Sequence, residues 1–171
     1  MKHKICIITA SNGKNLELAQ SFKTHLQNKG QEVTFINVVD LDLPLYSPNS
    51  AKVHNSANVI APFKHDLTAD AFIFVAPEYN GSTPPTFSNF LAWVSTSTKD
   101  WRETFNRKSA LIASASAGSG MYVLASMRMQ LGFIGMNVLG RQVASTMSKP
   151  YIHEELEKII DELLVTIPTK K

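Results

Sequence analysis

Three short polar stretches of the chain each follow an apolar run, and their residue types are those that bind ligands. The first stretch follows residues 4–9 and contains Ser11, Asn12, Lys14 and Asn15. Hydroxyl, amide and ammonium groups at the start of a helix suit a phosphate, because the free backbone N–H groups there carry partial positive charge. The alternative is plain capping of that helix by Ser11 or Asn12. The position directly after the first apolar run favours phosphate binding.

The second stretch interrupts the chain after the continuous apolar run 71–76. It consists of Pro77, Glu78, Tyr79, Asn80 and Gly81. A lone Asn-Gly pair is usually only a surface turn, which is the alternative interpretation here. A polar, aromatic loop delivered by a buried strand is, however, typical of a ligand site at the carboxyl end of an open sheet.

The third stretch follows the run Lys108–Ser114 and consists of small residues. Ser116, Ala117 and Gly118 are its candidate binding residues. Small side chains let a planar ligand approach the backbone closely. Taken alone, this stretch is equally typical of a flexible linker, but two similar stretches on the same predicted edge favour a shared binding site.

The elements that must position these stretches alternate between apolar runs and helical periodicity. The predicted strands are Lys4–Thr9, Val33–Val39, Ala71–Ala76, Lys108–Ser114 and Ile134–Leu139. The predicted helices span about 15–29, 57–67, 85–95, 121–131 and 151–166. This alternation predicts one α/β domain over residues 1–171, with a five-stranded parallel sheet in the order 2-1-3-4-5 and helices on both faces.

Glycine, proline and polar residues set the expected ends of these helices and strands. Gly30 and Gly132 are predicted to terminate the first and fourth helices. The polar segment Ser47–Ser56 is predicted to be loop, and Pro62 is expected to kink or shorten the helix in which it lies.

The second stretch also carries a family resemblance. The string PEYNGS, followed by Pro85, Asn89 and Trp93, resembles the flavin loop of the NAD(P)H-dependent FMN reductase family. That family includes quinone, azo-dye and chromate reductases with a flavodoxin-like, three-layer fold. The segment 42–46, DLPLY, is similar to the same family.

The resemblance implies bound FMN, with NADH or NADPH as the electron donor. It implies that the stretch 77–81 lies along the isoalloxazine ring, largely through backbone groups. It also implies a homodimer or homotetramer, and the aromatic residues of the helix after Pro85 are consistent with association.

Two stretches depart from the family pattern. Many members carry a longer first loop with an arginine, whereas here only Asn15 and the following Leu18 and Ala19 match the end of that pattern. In the third stretch Ser116 and Gly118 match, while Met121 occupies the place of the last glycine. A monophosphate such as FMN still fits the shorter first loop.

Composition excludes several classes of protein. The net charge is +3 with scattered lysines, so no nucleic-acid surface is expected. The single cysteine, Cys6, lies in a predicted strand, which favours a core thiol over a reactive one and a reducing compartment. With no signal peptide and no run of about 20 apolar residues, we expect a cytoplasmic protein without membrane contact.

The remaining motifs leave a redox function. The chain has no Gly-x-Ser-x-Gly elbow, no histidine spacing typical of a metal site, and no Gly-x-Gly-x-x-Gly after the first strand. We therefore expect an NAD(P)H-dependent FMN oxidoreductase that acts on a small acceptor such as a flavin or quinone. We assign no metal ligand and no side chain as a catalytic acid or base. The alternatives are a flavodoxin-like electron carrier and a flavin-binding protein without turnover.

Overall fold

The computed structural model describes residues 1–168 and contains alternating strands and helices. The strands are β1 Lys4–Thr9, β2 Glu32–Asn37, β3 Ala71–Val75, β4 Ser109–Ala115, β5 Asn137–Val138 and β6 Val143–Ser145. The α-helices are α1 Lys14–Asn28, α2 Pro48–His54, α3 Ser56–Ile60, α4 Pro85–Ser95, α5 Met121–Phe133 and α6 His153–Val165.

All strand pairs are parallel, and the sheet order β2-β1-β3-β4-β5 confirms the order predicted from the sequence. β1 lies inside the sheet and pairs with β2 along one edge and β3 along the other. β3 is buried on both faces, as its continuous apolar sequence predicts. The carboxyl ends of β1, β3 and β4 therefore meet at one edge of the sheet.

The outermost position of the sheet is shared by two short strands. The sequence predicts one strand over 134–139, but β5 pairs with the start of β4 and β6 pairs with its end. The segment between them is held by Arg128, whose Nη1 donates to the Leu139 carbonyl at 2.7 Å and whose Nη2 donates to Gln142 Oε1 at 2.9 Å. These contacts fix the path of the chain between the two short strands, while the Leu139 amide still donates to the Ala110 carbonyl of β4 at 2.8 Å.

Two apolar layers cover the sheet. On one face, α1 and α6 pack on β1, β3 and β4 through residues such as Leu18, Phe22, Leu156 and Ile160. On the other face, α4 and α5 pack with the region before β3. Within residues 1–168, no helix has the length and apolar character needed to cross a membrane.

The segment between β2 and β3 is more helical than predicted. The sequence predicts loop over 47–56, yet α2 lies within this segment, because Ser47 Oγ accepts a hydrogen bond from the Ser50 amide and Pro48 suits the first helical turn. The helix predicted over 57–67 is replaced by the short α3 and a 3-10 turn, Ala61–Phe63, that contains Pro62.

Glycines end two helices through a left-handed backbone. Gly30, with φ +71°, follows α1 as predicted. α5 instead continues through Gly132 to Phe133, and the left-handed residue after it is Gly135, with φ +92°. A Cβ atom added to Gly135 would lie 2.5 Å from Asn106 Oδ1, whereas one added to Gly132 meets nothing within 4 Å.

These two glycines provide a matched test of the fold. We expect Gly135→Ala to lower the free energy of unfolding by about 1–3 kcal/mol, because a side chain there is strained by its positive φ. We expect Gly132→Ala to raise it by about 0.5–1 kcal/mol, because alanine is the better residue in a helix. Urea denaturation of both variants measures the difference, and equal midpoints would contradict this account of the α5 terminus.

Candidate functional site

Three loops converge at the edge where β1, β3 and β4 end. We call residues 10–13 the first loop, 76–84 the second loop and 116–120 the third loop. The Ala10 amide donates to the Val75 carbonyl at 3.1 Å, and the Ala76 amide donates to the Ala113 carbonyl at 3.1 Å. The ladder that joins the strands thus extends into the start of the loops and fixes their relative positions.

The first loop leaves the start of α1 open. Ser11 Oγ accepts from the Gly13 amide at 3.0 Å, and Asn12 Oδ1 accepts from the Asn37 side chain, so neither residue caps the helix. Within residues 1–168, the amides of Lys14 and Asn15 have no acceptor, and the exposed Lys14 makes no ion pair. The alternative of plain capping by Ser11 or Asn12 therefore does not describe this helix.

Asn15 connects α1 to the chain just before the third loop. Its Nδ2 donates to the Ala115 carbonyl and its Oδ1 accepts from the Ala115 amide, each at 2.7 Å. The residue is buried, with 2% of its surface exposed. Both polar ends are occupied by protein, so this residue positions two loops relative to each other.

Thr9 lies at the end of β1 and is not among the residues that the sequence singles out. It is fully buried, and its hydroxyl has no hydrogen-bond partner within residues 1–168. Buried hydroxyls are normally paired. A polar residue at the last position of an otherwise apolar strand is the signal that sequence reasoning overlooks here.

The second loop contains a tight turn. The amides of Tyr79 and Ser82 each donate to the other residue's carbonyl at 3.0 Å, and both Asn80 (φ 50°) and Gly81 (φ 71°) are left-handed. Positive φ at both central residues is the type I′ pattern, for which Asn-Gly is the preferred sequence. Pro77 and Glu78 are half-buried, whereas 79–81 are exposed.

Glu78 links the second loop to the start of α5. Its Oε2 accepts from the amides of Tyr122 at 3.1 Å and Val123 at 3.3 Å. α5 begins after Gly120, which has no side chain to cap it; Ser119 Oγ accepts only from the Met121 amide, at 3.3 Å, and the first turn has no acidic residue. The carboxylate therefore supplies the acceptor and the negative charge that a helix amino terminus favours.

The third loop is held at its base and open at its tip. The Ser116 amide donates to the Ser145 carbonyl at 3.0 Å, and the Ser116 hydroxyl lies 2.8 Å from Ser114 Oγ. Ala117 and Gly118 are exposed, and their amides have no partner within residues 1–168. A cavity of about 490 Å³ opens between this loop, Lys14 and the segment 145–151.

The segment before α2 is clamped to α4 by two polar side chains. Asn89 Oδ1 accepts from the Tyr46 amide at 2.7 Å, and its Nδ2 donates to the Pro44 carbonyl at 3.1 Å. Trp93 Nε1 donates to the same carbonyl at 2.7 Å. Asn89 and Trp93 thus fix the path of the chain that leads into α2.

Cys6 and the remaining cavities contribute nothing to this edge. Burial raises the pKa of the Cys6 thiol to about 12, partly opposed by a hydrogen bond with Thr34, so it is no nucleophile at neutral pH. Among residues 1–168, no three or more His, Cys, Asp or Glu side chains are grouped to hold a metal ion. A cavity of about 790 Å³ lies along β5 and α6, away from the three loops.

Comparison with known proteins identifies the family. The model of the NADPH-dependent FMN reductase family matches residues 3–149. No curated protein sequence matches the chain significantly. The family match covers most of the chain, including all three loops, and confirms the resemblance carried by PEYNGS.

Solved structures similar to this chain have the same fold. FerB, a flavoenzyme NAD(P)H:(acceptor) oxidoreductase from Paracoccus denitrificans, is 17% identical, with a TM-score of 0.76 over 96% of this chain and 97% of that chain. A putative quinone reductase from Klebsiella pneumoniae is 18% identical, with a TM-score of 0.70 over 98% and 87%. A mutant flavodoxin from Pseudomonas aeruginosa is 17% identical, with a TM-score of 0.59 over 96% and 98%.

The sheet order, the flavodoxin-like neighbours and the family match agree with one another. The chain therefore belongs to the NADPH-dependent FMN reductase family, and it is an NAD(P)H-dependent oxidoreductase whose cofactor is FMN.

Proposed function

We propose that residues 1–171 form one FMN-binding domain that carries FMN across the three loops and reduces a small acceptor such as a quinone or a flavin. The observation that carries this proposal is the set of unpaired polar groups at one sheet edge. They are the amides of Lys14 and Asn15 at the start of α1 and of Ala117 and Gly118 in the third loop, within the described residues 1–168. Unpaired donors at the start of α1 and on the third loop, with the second loop between the same strand ends, fit a ligand with several acceptors, and FMN is such a ligand.

The phosphate end of FMN would lie at the first loop. The free amides at the start of α1 point along the helix dipole toward an anion, and Lys14 adds a charge. Ser11 and Asn12 are half-buried and exposed, respectively, and each can offer a side-chain donor. Asn15 holds this loop against the third loop through Ala115 rather than contacting the phosphate with its side chain.

The ring end would lie between the second and third loops. Residues 77–81 present a backbone path fixed by the type I′ turn, and Glu78 ties that path to α5. Ser116, Ala117 and Gly118 form the opposing rim, where small side chains permit close approach. Backbone amides on both sides can donate to negative charge that develops on the ring system.

Bound FMN supplies the redox chemistry, since it accepts a hydride from NADH or NADPH and returns electrons to an acceptor. The protein orients the reactants, excludes water and stabilises charge. The contacts that the structure gives Glu78 are structural, because its Oε2 accepts from two amides of α5. We assign no catalytic acid or base to this chain.

We also propose a homodimer or homotetramer in a cytoplasmic, reducing compartment. The aromatic residues of α4, Phe87, Phe90 and Trp93, are fully buried in the core and give no support to association, contrary to the expectation from the sequence. Support comes instead from α5, where Tyr122, Met129 and Phe133 are each more than 65% exposed, which is unusual for large apolar side chains. The lone, buried Cys6 supports the compartment, because it offers no disulfide. Light scattering over a range of concentrations tests the assembly, and a constant monomer mass would contradict it.

The function is tested with the purified protein. We expect a flavin absorption spectrum, bleaching of the flavin by NADPH without oxygen, and steady NADPH oxidation when a quinone or free FMN is added. A carrier would retain its flavin colour with NADPH, and a non-catalytic binder would show no turnover. Either result would contradict the proposed reductase.

The roles of Ser11, in the first loop, and Asn15, in the first turn of α1, can be separated by mutation. We expect Ser11→Ala to weaken FMN about tenfold, the loss of about one charge-assisted hydrogen bond, without changing riboflavin affinity. We expect Asn15→Ala to weaken both ligands, because the third loop loses its two contacts with α1. Titration of the apoprotein measures the four affinities, and an Asn15→Ala effect confined to FMN would show direct phosphate contact instead.

The backbone path of the second loop has a matched control in Gly30. Gly81 and Gly30 share φ +71°, and a Cβ atom added to either meets nothing within 4 Å. Valine should therefore cost about 1–3 kcal/mol in backbone strain, and the cost should be similar at the two positions. We expect only Gly81→Val to lose FMN and turnover, since Gly30 lies at the far end of α1.

Two milder changes in the second loop complete that comparison. Glu78→Gln should keep most activity, because its side-chain carbonyl can still accept from α5. The activity of Asn80→Ala should fall between the activities of Glu78→Gln and Gly81→Val. Flavin occupancy and hydride-transfer rate are compared, with circular dichroism as the folding control. Loss of turnover with FMN retained in Glu78→Gln would mean that this carboxylate acts directly in the chemistry.

A further inference from the structure

The seam between α1 and α6 carries a polar stripe outside the FMN site. Ser21 and His25 are four residues apart and so share one face of α1, and Lys29, the residue that ends the helix, follows four residues later. Ser21 Oγ lies 3.0 Å from the Tyr151 hydroxyl, and Lys29 Nζ lies 2.8 Å from the Asp161 carboxylate. These contacts, one helical turn to each side of His25, fix the spacing of the chain around it.

Two imidazole nitrogens meet at the centre of this stripe. His25 Nε2 lies 3.1 Å from His153 Nδ1, and the ring centroids are 5.3 Å apart. Without a cation, one of the two nitrogens must carry a proton, because two lone pairs at this distance repel. Two nitrogens bound tetrahedrally to one Zn²⁺ at about 2.0–2.1 Å lie about 3.3 Å apart. A cation can therefore take the place of that proton at nearly the same nitrogen–nitrogen separation, once each ring tilts to direct its lone pair at the ion.

A carboxylate stands behind one of the rings. Glu157 Oε1 lies 3.5 Å from His25 Nδ1, the nitrogen that faces away from His153. This is a charge contact longer than an ordinary hydrogen bond, and a small movement of the exposed Glu157 side chain would close it. In metal sites, a carboxylate hydrogen-bonded to the outer nitrogen keeps the proton there and leaves the inner nitrogen free to bind the metal. Only 12% of the His25 side chain is exposed, so its orientation is restricted.

Space for further ligands lies beside the pair. A cavity of about 300 Å³ is lined by His25 and His153 together with Glu17, Thr24 and Tyr151. The protein provides two nitrogen ligands, and water can complete the coordination from this cavity. The two histidines are 128 residues apart in the sequence, which is why the sequence shows no metal-site spacing.

We propose that His25 and His153 form a two-histidine site for a divalent cation of the Zn²⁺ class, with Glu157 as the residue that orients His25. Imidazole ligands favour Zn²⁺ and similar transition metals, whereas Mg²⁺ and Ca²⁺ require oxygen ligands. The bound ion joins α1 to α6 at a surface separate from the three loops.

The test is calorimetric titration of the FMN-saturated full chain with Zn²⁺, in a non-coordinating buffer after chelator treatment and removal. We expect one strong Zn²⁺ equivalent per chain and no binding of Mg²⁺. His153→Ala should weaken that equivalent at least tenfold. His54→Ala is the matched control, because His54 is an exposed histidine on α2 and should leave binding unchanged. Circular dichroism confirms that each variant is folded.

Glu157→Gln provides the second variant, which retains both imidazole ligands. We expect about a tenfold loss of Zn²⁺ affinity, as is typical when an outer carboxylate partner is removed. Absence of a strong equivalent in the unmodified chain, equal losses in His54→Ala and His153→Ala, or unchanged affinity in Glu157→Gln would each overturn the proposed site.

Discussion

The arrangement of the three loops depends on the reciprocal pair of hydrogen bonds between Asn15 and Ala115. The two residues are 100 positions apart in the sequence, and each contact is 2.7 Å long. Because Asn15 is buried, truncation of its side chain would remove the partners of the Ala115 amide and carbonyl together. The start of α1 and the end of β4 are therefore held as one unit, and the proposed phosphate and ring sites are held with them.

Glu78 makes a similar long-range connection between the second loop and α5. Asn15 fastens the third loop to α1, while Glu78 fastens the second loop to α5, the helix that the third loop introduces. The third loop is thus supported from both neighbours although its own tip has few contacts. Two long-range side-chain interactions allow loops with exposed, unpaired amides to keep one geometry, which is the preorganisation that an electrostatic binding site requires.

The features that follow from local patterns are predictable, and those that depend on distant partners are not. The apolar run of β3, the turn at Asn80-Gly81 and the sheet order all follow from periodicity and turn chemistry. The path of the chain between the two short strands depends on Arg128, which reaches that segment from a neighbouring helix. The roles of Asn15 and Glu78 depend on partners 100 and 44 residues away, a distance that no local pattern records. The prediction misses α2 although Ser47-Pro48 is a recognisable helix start.

The environment of Cys6 has a practical consequence for labelling. The thiol is fully buried in β1 and its pKa is raised to about 12, so almost no thiolate exists at neutral pH. Maleimide and iodoacetamide react with the thiolate form. A cysteine introduced at the exposed tip of the second loop would therefore be modified selectively without removing the native residue. The native cysteine therefore does not compete for the label, and a fluorophore on the introduced cysteine can report flavin binding.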